Sequence, residues 1–167
     1  MLSPRIIPVL LVHDKGLVKT VKFKDPKYVG DPINAVKIFN EKEADELTVI
    51  DIDASAQGRE PDYKLIENLA TECRMPLCYG GGIKTVEQAQ RILGLGVEKV
   101  ALSSVVFEKP ELITELAERV GRQSVVVVLD VKKRLFGAKY DCYTLNGKVN
   151  QKILNLHKRC SSSARVK

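Results

Sequence analysis

Short apolar runs alternate along the chain with stretches whose apolar positions recur at helical spacing. Arg5–Val12 reads as a buried strand, and Leu17–Phe23, where apolar and polar residues alternate, predicts a small hairpin arm. Asp31-Pro32 opens a helix to about Lys42, with Asp31 as N-cap and Pro32 in the first helical position. Leu47–Ile52 is a strand that ends in acids, and Tyr63–Cys73 is a helix. Pro76–Tyr79 is a short strand running into Gly80-Gly81-Gly82. Thr85 then caps a helix that stops at Gly94. Val97–Leu102 is a strand, and Pro110–Val120 is a helix ended by Gly121. Ser124–Asp130 is a strand with an unbroken valine run, apolar on both faces, as in a parallel sheet covered on its sides.

Five strands with four intervening helices make a βα repeat and imply a parallel sheet, in a barrel or a doubly wound fold. Polar residues collect after several strands: Asp51 and Asp53, the glycines, Ser103 and Ser104, and Asp130. That distribution favours a barrel, whose sites lie at the C-terminal rim of many strands, over a doubly wound sheet with one switch point. A full barrel takes eight strands and about 250 residues. The 167 residues here reach five strands. The expected organisation is a partial (βα)8 barrel over residues 1–147, followed by an atypical basic tail over 148–167.

Charge sharpens that boundary. The chain holds 27 Lys+Arg and 21 Asp+Glu, a formal charge of +6. Lys148, Lys152, Lys158, Arg159, Arg165 and Lys167 lie in the tail, which has no acid, so the tail carries the whole excess. A nucleic-acid reading would rest on the tail alone and is set aside. After Lys132–Lys148, a polar hairpin-like stretch with Asn146-Gly147 as turn, Ile153, Leu154 and Leu156 could begin a helix that Arg159–Lys167 has no apolar face to continue. The tail reads as foreign, like a shifted reading frame or a cut gene; the other reading is a basic interaction tail. No apolar run reaches the ~20 residues of a membrane helix, and no secretory signal is expected at Met1–Arg5. Cys73, Cys78, Cys142 and Cys160 form no Cys-x-x-Cys, and His13 and His157 are too few for a zinc cluster, so no metal is expected. Reduced thiols in a cytoplasmic protein are the default.

Three groups of residues carry candidate chemistry. The glycine run, after a strand and before a helix, lets backbone N–H groups turn toward one anion; Ser103 and Ser104 could add hydroxyls to the same phosphate. Asp130 is an acid at the end of an apolar strand, suited to general acid or base work. Asp51 and Asp53 sit similarly, alternation placing them on one face, with loop hydrogen bonds the stronger reading for Asp53. At the opposite strand ends Arg5, Glu46 and Lys99 each precede a strand core, and physics alone favours a salt-bridge plug.

Arg5-Ile-Ile-Pro8, Val18-Lys19, Gly30-Asp-Pro32, Ala44-Asp-Glu-Leu47, Asp51-Ile-Asp-Ala-Ser55, Gly58-Arg-Glu60, Gly80-Gly-Gly-Ile83, Gly96–Val100 and Val126–Asp130 follow one another in order. Together they closely resemble the cyclase subunit of imidazole glycerol phosphate synthase, a lyase of histidine biosynthesis, over about Met1–Gly147. The resemblance implies a (βα)8 barrel without a cofactor, in a heterodimer with a glutaminase subunit docked on the N-terminal face. Ammonia from glutamine would cross the barrel to a phosphorylated ribotide, giving imidazole glycerol phosphate and an aminoimidazole carboxamide ribotide. It makes Arg5, Glu46 and Lys99 the ammonia gate and places Glu98 at the partner interface. Lys19, Asp51, Gly81, Gly82, Ser103 and Ser104 fall in the substrate and phosphate region, and Asp130 matches one of two catalytic aspartates.

The departures are specific. Leu11 stands where the family has its other catalytic aspartate, and Ser103 where asparagine is usual. Leucine cannot transfer a proton, and losing one of an acid–base pair costs about 10²–10⁴-fold. The family's second half-barrel does not follow. Leu11 also resembles a paralogous branch found with surface-polysaccharide (lipopolysaccharide) enzymes. Three readings stand: a cyclase-type subunit, an ammonia-channelling subunit for amidation of a surface sugar, or a non-functional truncated product.

Overall fold

The computed structural model describes residues 4–21, 24–133, 140–145 and 147–150. The tail beyond Asn150 and the turn residue Asn146 lie outside the described residues.

The valine- and leucine-rich runs become a seven-stranded sheet. Its parallel part is β1 (Val9–His13), β4 (Leu47–Asp51), β5 (Leu77–Gly80), β6 (Lys99–Leu102) and β7 (Val125–Val127). These are the five strands expected, in chain order across the sheet. The helices α1 (Pro32–Glu41), α2 (Tyr63–Glu72), α3 (Val86–Gly94) and α5 (Glu111–Val120) connect them. The architecture is a partial barrel of the (βα)8 type that does not close on itself among the described residues.

Local chemistry sets the helix starts. Asp31 accepts from the N–H of Asn34, Asp62 from Leu65 and Thr85 from Gln88, each satisfying a donor that the first turn leaves free. The inward faces of the helices meet the outward face of the sheet. Val36, Ile66, Leu69, Ile92 and Leu116 pack with Leu47, Val49, Tyr79 and Val100, all fully buried. The other face of the same strands therefore points into the barrel lumen.

Three features differ from the sequence expectation. The arm is two strands, β2 (Gly16–Val21), antiparallel to β1, and β3 (Lys24–Gly30), antiparallel to β2. Asp14 and Lys15 both have positive φ, as a two-residue hairpin turn requires. β3 is nearly all exposed and carries Pro26 and two lysines, Lys24 and Lys27, an edge strand held by backbone pairing, so no apolar pattern announces it. A short helix α4 (Val105–Glu108) follows β6, between the expected strand Val97–Leu102 and the expected helix Pro110–Val120, where no element was expected. Finally, the strand expected over Ser124–Asp130 is two strands. β7 stops at Val127, and Asp130 begins β8 (Asp130–Lys133), which pairs with β9 (Tyr140–Thr144), itself paired with β10 (Val149–Asn150). Cross-strand partners explain the break: Asp130 pairs with Tyr143 and Val131 with Cys142, an antiparallel ladder that captures the chain once the valine run ends.

Candidate functional site

Strand alternation lays the lumen face out in rows. One row joins Thr48, Cys78 and Lys99, which are register neighbours on β4, β5 and β6. Two residues further along each strand, about 7 Å up the barrel axis, Leu11, Ile50, Gly80 and Ala101 form the next row. That upper row is the floor of a cavity of about 420 Å³ at the C-terminal ends of the strands. Its small members leave space above them: a side chain on Gly80 would meet Ala101 at 3.0 Å.

Below the lower row sits Glu46, buried at 5% exposure. Its Oε2 accepts from Lys99 Nζ at 2.5 Å, and Arg5 Nη1 lies 3.7 Å away. The three residues grouped from the sequence are thus brought together around one carboxylate oxygen. Cys78 lies against them. Burial, aided by the Glu46 charge, pushes its thiol up to about 11, so it stays a neutral lining group. Glu98 is exposed beside this cluster in the chain, its N–H donating to Leu77 O.

The cavity gathers Asp51, Gly81, Gly82, Ser103, Ser104 and Asp130, six of the residues read from the sequence. Lys19 is not among its lining. It lies exposed on the arm, opposite Lys27, beside a shallower groove. Gly81 has φ +118° and stands against the Asp51 carbonyl, where no side chain fits. Gly82 has φ +73°, and its N–H donates to Ser55 Oγ at 3.1 Å. Ser104 Oγ accepts from the Leu145 N–H at 3.4 Å, tying the β9–β10 turn to the rim.

The carboxylates divide by environment. Asp51, at the end of β4, accepts from the N–H groups of Asp53 and Ala54, and Arg59 Nη2 lies 3.8 Å from it. Asp53 lies past the strand, not within its alternation. It accepts from the Asp14 N–H at 2.9 Å, and His13 Nδ1 is 2.7 Å from its other oxygen. Burial alone would raise the Asp53 pKa, but the bonds from Asp14 and His13 and the nearby Arg59 charge outweigh it and lower it. The bond to Asp53, against some desolvation, raises His13 above its ordinary value. Asp130 has no such hydrogen bond among the described residues, and burial raises its pKa.

His13 was missed as a site residue. It follows Leu11 by two on β1, so it shares the lumen face and lines the same cavity. The alternation was legible; its partner Asp53, forty residues on, was not. His13, Asp14 and Asp53 also bring three possible metal-ligating atoms within 4.8 Å of one another. The 2.7 Å contact occupies two of those atoms with a hydrogen bond, and we read the group as a hydrogen-bonded pair.

A family model described as histidine biosynthesis protein matches residues 5–164. The chain is 75% identical over 153 residues to a Vibrio vulnificus protein named “Putative imidazole glycerol phosphate synthase subunit hisF3”, covering 92% of this chain and 59% of that one. It is 61% identical over 147 residues to a Leptospira interrogans protein named “Putative imidazole glycerol phosphate synthase subunit HisF”, covering 88% and 58%. With the “Imidazole glycerol phosphate synthase subunit HisF” of Lactococcus lactis it shares 41% over 150 residues, covering 90% and 58%. The chain spans somewhat under six-tenths of the length of these relatives.

Proposed function

The chain belongs to the histidine biosynthesis protein family, and from that membership we propose that it forms the ammonia-entry half of a cyclase-type subunit of imidazole glycerol phosphate synthase. The observation that carries this reading is the stacking on one lumen face. The Arg5–Glu46–Lys99 cluster lies at the N-terminal ends of the strands, and the cavity lies one strand repeat above the row holding Lys99. A small neutral molecule passing the carboxylate would meet Thr48 and Cys78, then Gly80 and Ala101, and then the cavity.

In this reading a glutaminase subunit docks on the face that bears Arg5 and Glu98, in the cytoplasm, and supplies ammonia. The cavity takes a phosphorylated ribotide. Gly81 and Gly82 bring the backbone close to its phosphate with no side chain in the way, Ser55, Ser103 and Ser104 offer hydroxyls, and Asp130 donates or accepts protons. The catalytic contribution is positioning of ammonia and substrate together in the cavity.

A second reading is favoured by one residue. Leu11 puts an aliphatic side chain on the cavity floor where acid–base chemistry would place a carboxylate. Ammonia passage needs a pore and a gate but no acid–base pair, which suits a subunit that hands ammonia on for amidation of a surface sugar.

The deciding experiment supplies ammonium salt directly and follows consumption of the phosphoribulosyl carboxamide ribotide, alongside glutamine hydrolysis by the partner. Ammonia-dependent consumption is expected. Stimulated glutamine hydrolysis with an untouched ribotide would overturn the cyclase reading in favour of ammonia delivery.

A further inference from the structure

We propose that His13, oriented by Asp53, is the proton-transfer group that β1 contributes to the cavity, in the place where Leu11 offers none. This rests on the ammonia-using reading above. Leu11 and His13 both line the cavity, two residues apart on one strand face, and His13 is the titratable one. Asp53 is buried and fixed at both oxygens, by the Asp14 N–H and by His13 Nδ1. A carboxylate only accepts, so Nδ1 carries the proton of the neutral ring and Nε2 is left as the base. The charged groups around the ring are Asp14 on the hairpin turn and Asp51 and Asp53 from the end of β4, all acidic; Asp14 Oδ2 lies 3.4 Å from Nε2. They favour the imidazolium once formed. Asp130 lines the same cavity from β8.

The step balances for ammonia adding to a ketone. As the nitrogen bonds to the carbonyl carbon, it gives a proton to His13 Nε2, and the carbonyl oxygen takes a proton from the Asp130 acid. The imidazolium then returns its proton to the departing hydroxyl, which leaves as water. The nitrogen returns a second proton to Asp130, leaving an imine and both groups in their starting states. Two groups suffice and neither is at position 11.

His13→Ala, Asp53→Asn and the unsubstituted protein, each with its glutaminase partner, would be compared in ammonia-dependent consumption of the phosphoribulosyl ribotide across pH 5–9. Asp53→Asn keeps an oxygen for the Asp14 N–H but turns an amide donor toward Nδ1, forcing the ring proton onto Nε2. We expect His13→Ala to lose at least about a hundredfold in kcat with KM changed little, and added imidazole to restore part of it. Asp53→Asn should lose activity and shift the pH profile. Turnover in His13→Ala within threefold of the parent overturns the inference and leaves the cyclase reading standing. So does a loss that imidazole does not repair together with an unchanged pH profile in Asp53→Asn. Absence of turnover in the parent overturns the cyclase reading, and the inference falls with it.

Discussion

The backbone N–H of Gly82 donates to the hydroxyl of Ser55 across 3.1 Å. The glycine run is therefore not an empty cradle of amides. Its third member is already engaged, and Ser55 sits on the cavity wall with its own O–H proton free to point inward. Ser55, polarised by Gly82, becomes a donor to any anion there. Ser55→Ala should weaken binding of inorganic phosphate roughly fivefold, about one hydrogen bond, while Ser55→Thr retains it. Calorimetric titration of the three proteins decides. Unchanged affinity in Ser55→Ala would place the anion elsewhere.

Gly81 tests the same loop through its backbone. With φ +118° and the Asp51 carbonyl against it, an added methyl group must push β4 and the loop apart. Gly81→Ala should lower the denaturant midpoint by more than Gly94→Ala, a helix glycine with nothing within 4 Å. Equal midpoints would show that the loop yields easily.

The Glu46–Lys99 pair is nearly water-free on one side only: the Glu46 side chain is 6% exposed and Lys99 22%. Removing the cation leaves a buried carboxylate with only the longer, solvent-exposed contact to Arg5 at 3.7 Å. Lys99→Met should cost about 2 kcal/mol, less than the full penalty for a wholly buried pair. Adding Glu46→Gln to it should recover much of that loss. Urea denaturation of the single and double variants measures the coupling, and additive losses would mean the pair contributes little.

Much of this was written in periodicity. The five strands, four of the helices and the grouping of Arg5, Glu46 and Lys99 follow from apolar runs and from which residues precede them. What escaped depends on partners remote in the chain. β3 has no apolar face because its bonds are backbone bonds to β2. Asp130 was assigned to the wrong strand because Tyr143 and Cys142, which draw β8 away, lie a hairpin later. Asp53 read as a loop acid, which it is, through its bond to Asp14. Its role in holding His13 needed the hairpin turn to bring β1 and the β4 loop together.

The His13–Asp53 pair makes stability depend on pH from both sides. His13 has a raised pKa in the fold, so its contribution is complete below about 6.5 and is lost as pH rises through the folded value. Asp53 has a lowered pKa, so its contribution is present above about 3.8 and is lost as pH falls through the folded value. Between these limits the pair is fully charged. Thermal midpoints should thus fall between pH 6 and pH 8 by more in the parent than in His13→Gln. The ring is one-third exposed, so the difference is small. Parallel curves would show that the pair carries no linkage.

Leu11 and His13 offer the sharpest internal control, because strand alternation gives them the same face and the same cavity. If β1 must supply a proton-transfer group and only its place matters, a carboxylate at 11 can stand in for the imidazole at 13. In a His13→Ala background, Leu11→Asp should restore ammonia-dependent turnover at least about tenfold, with glutamine hydrolysis by the partner little altered. The restored activity should show the pH profile of a carboxylic acid and no response to added imidazole. The two positions would then be alternatives for one proton-transfer role. A double variant no faster than His13→Ala, yet still binding phosphate normally, would mean that an acid on the cavity floor cannot reach the reacting atoms. The proton would then have to travel by His13 alone.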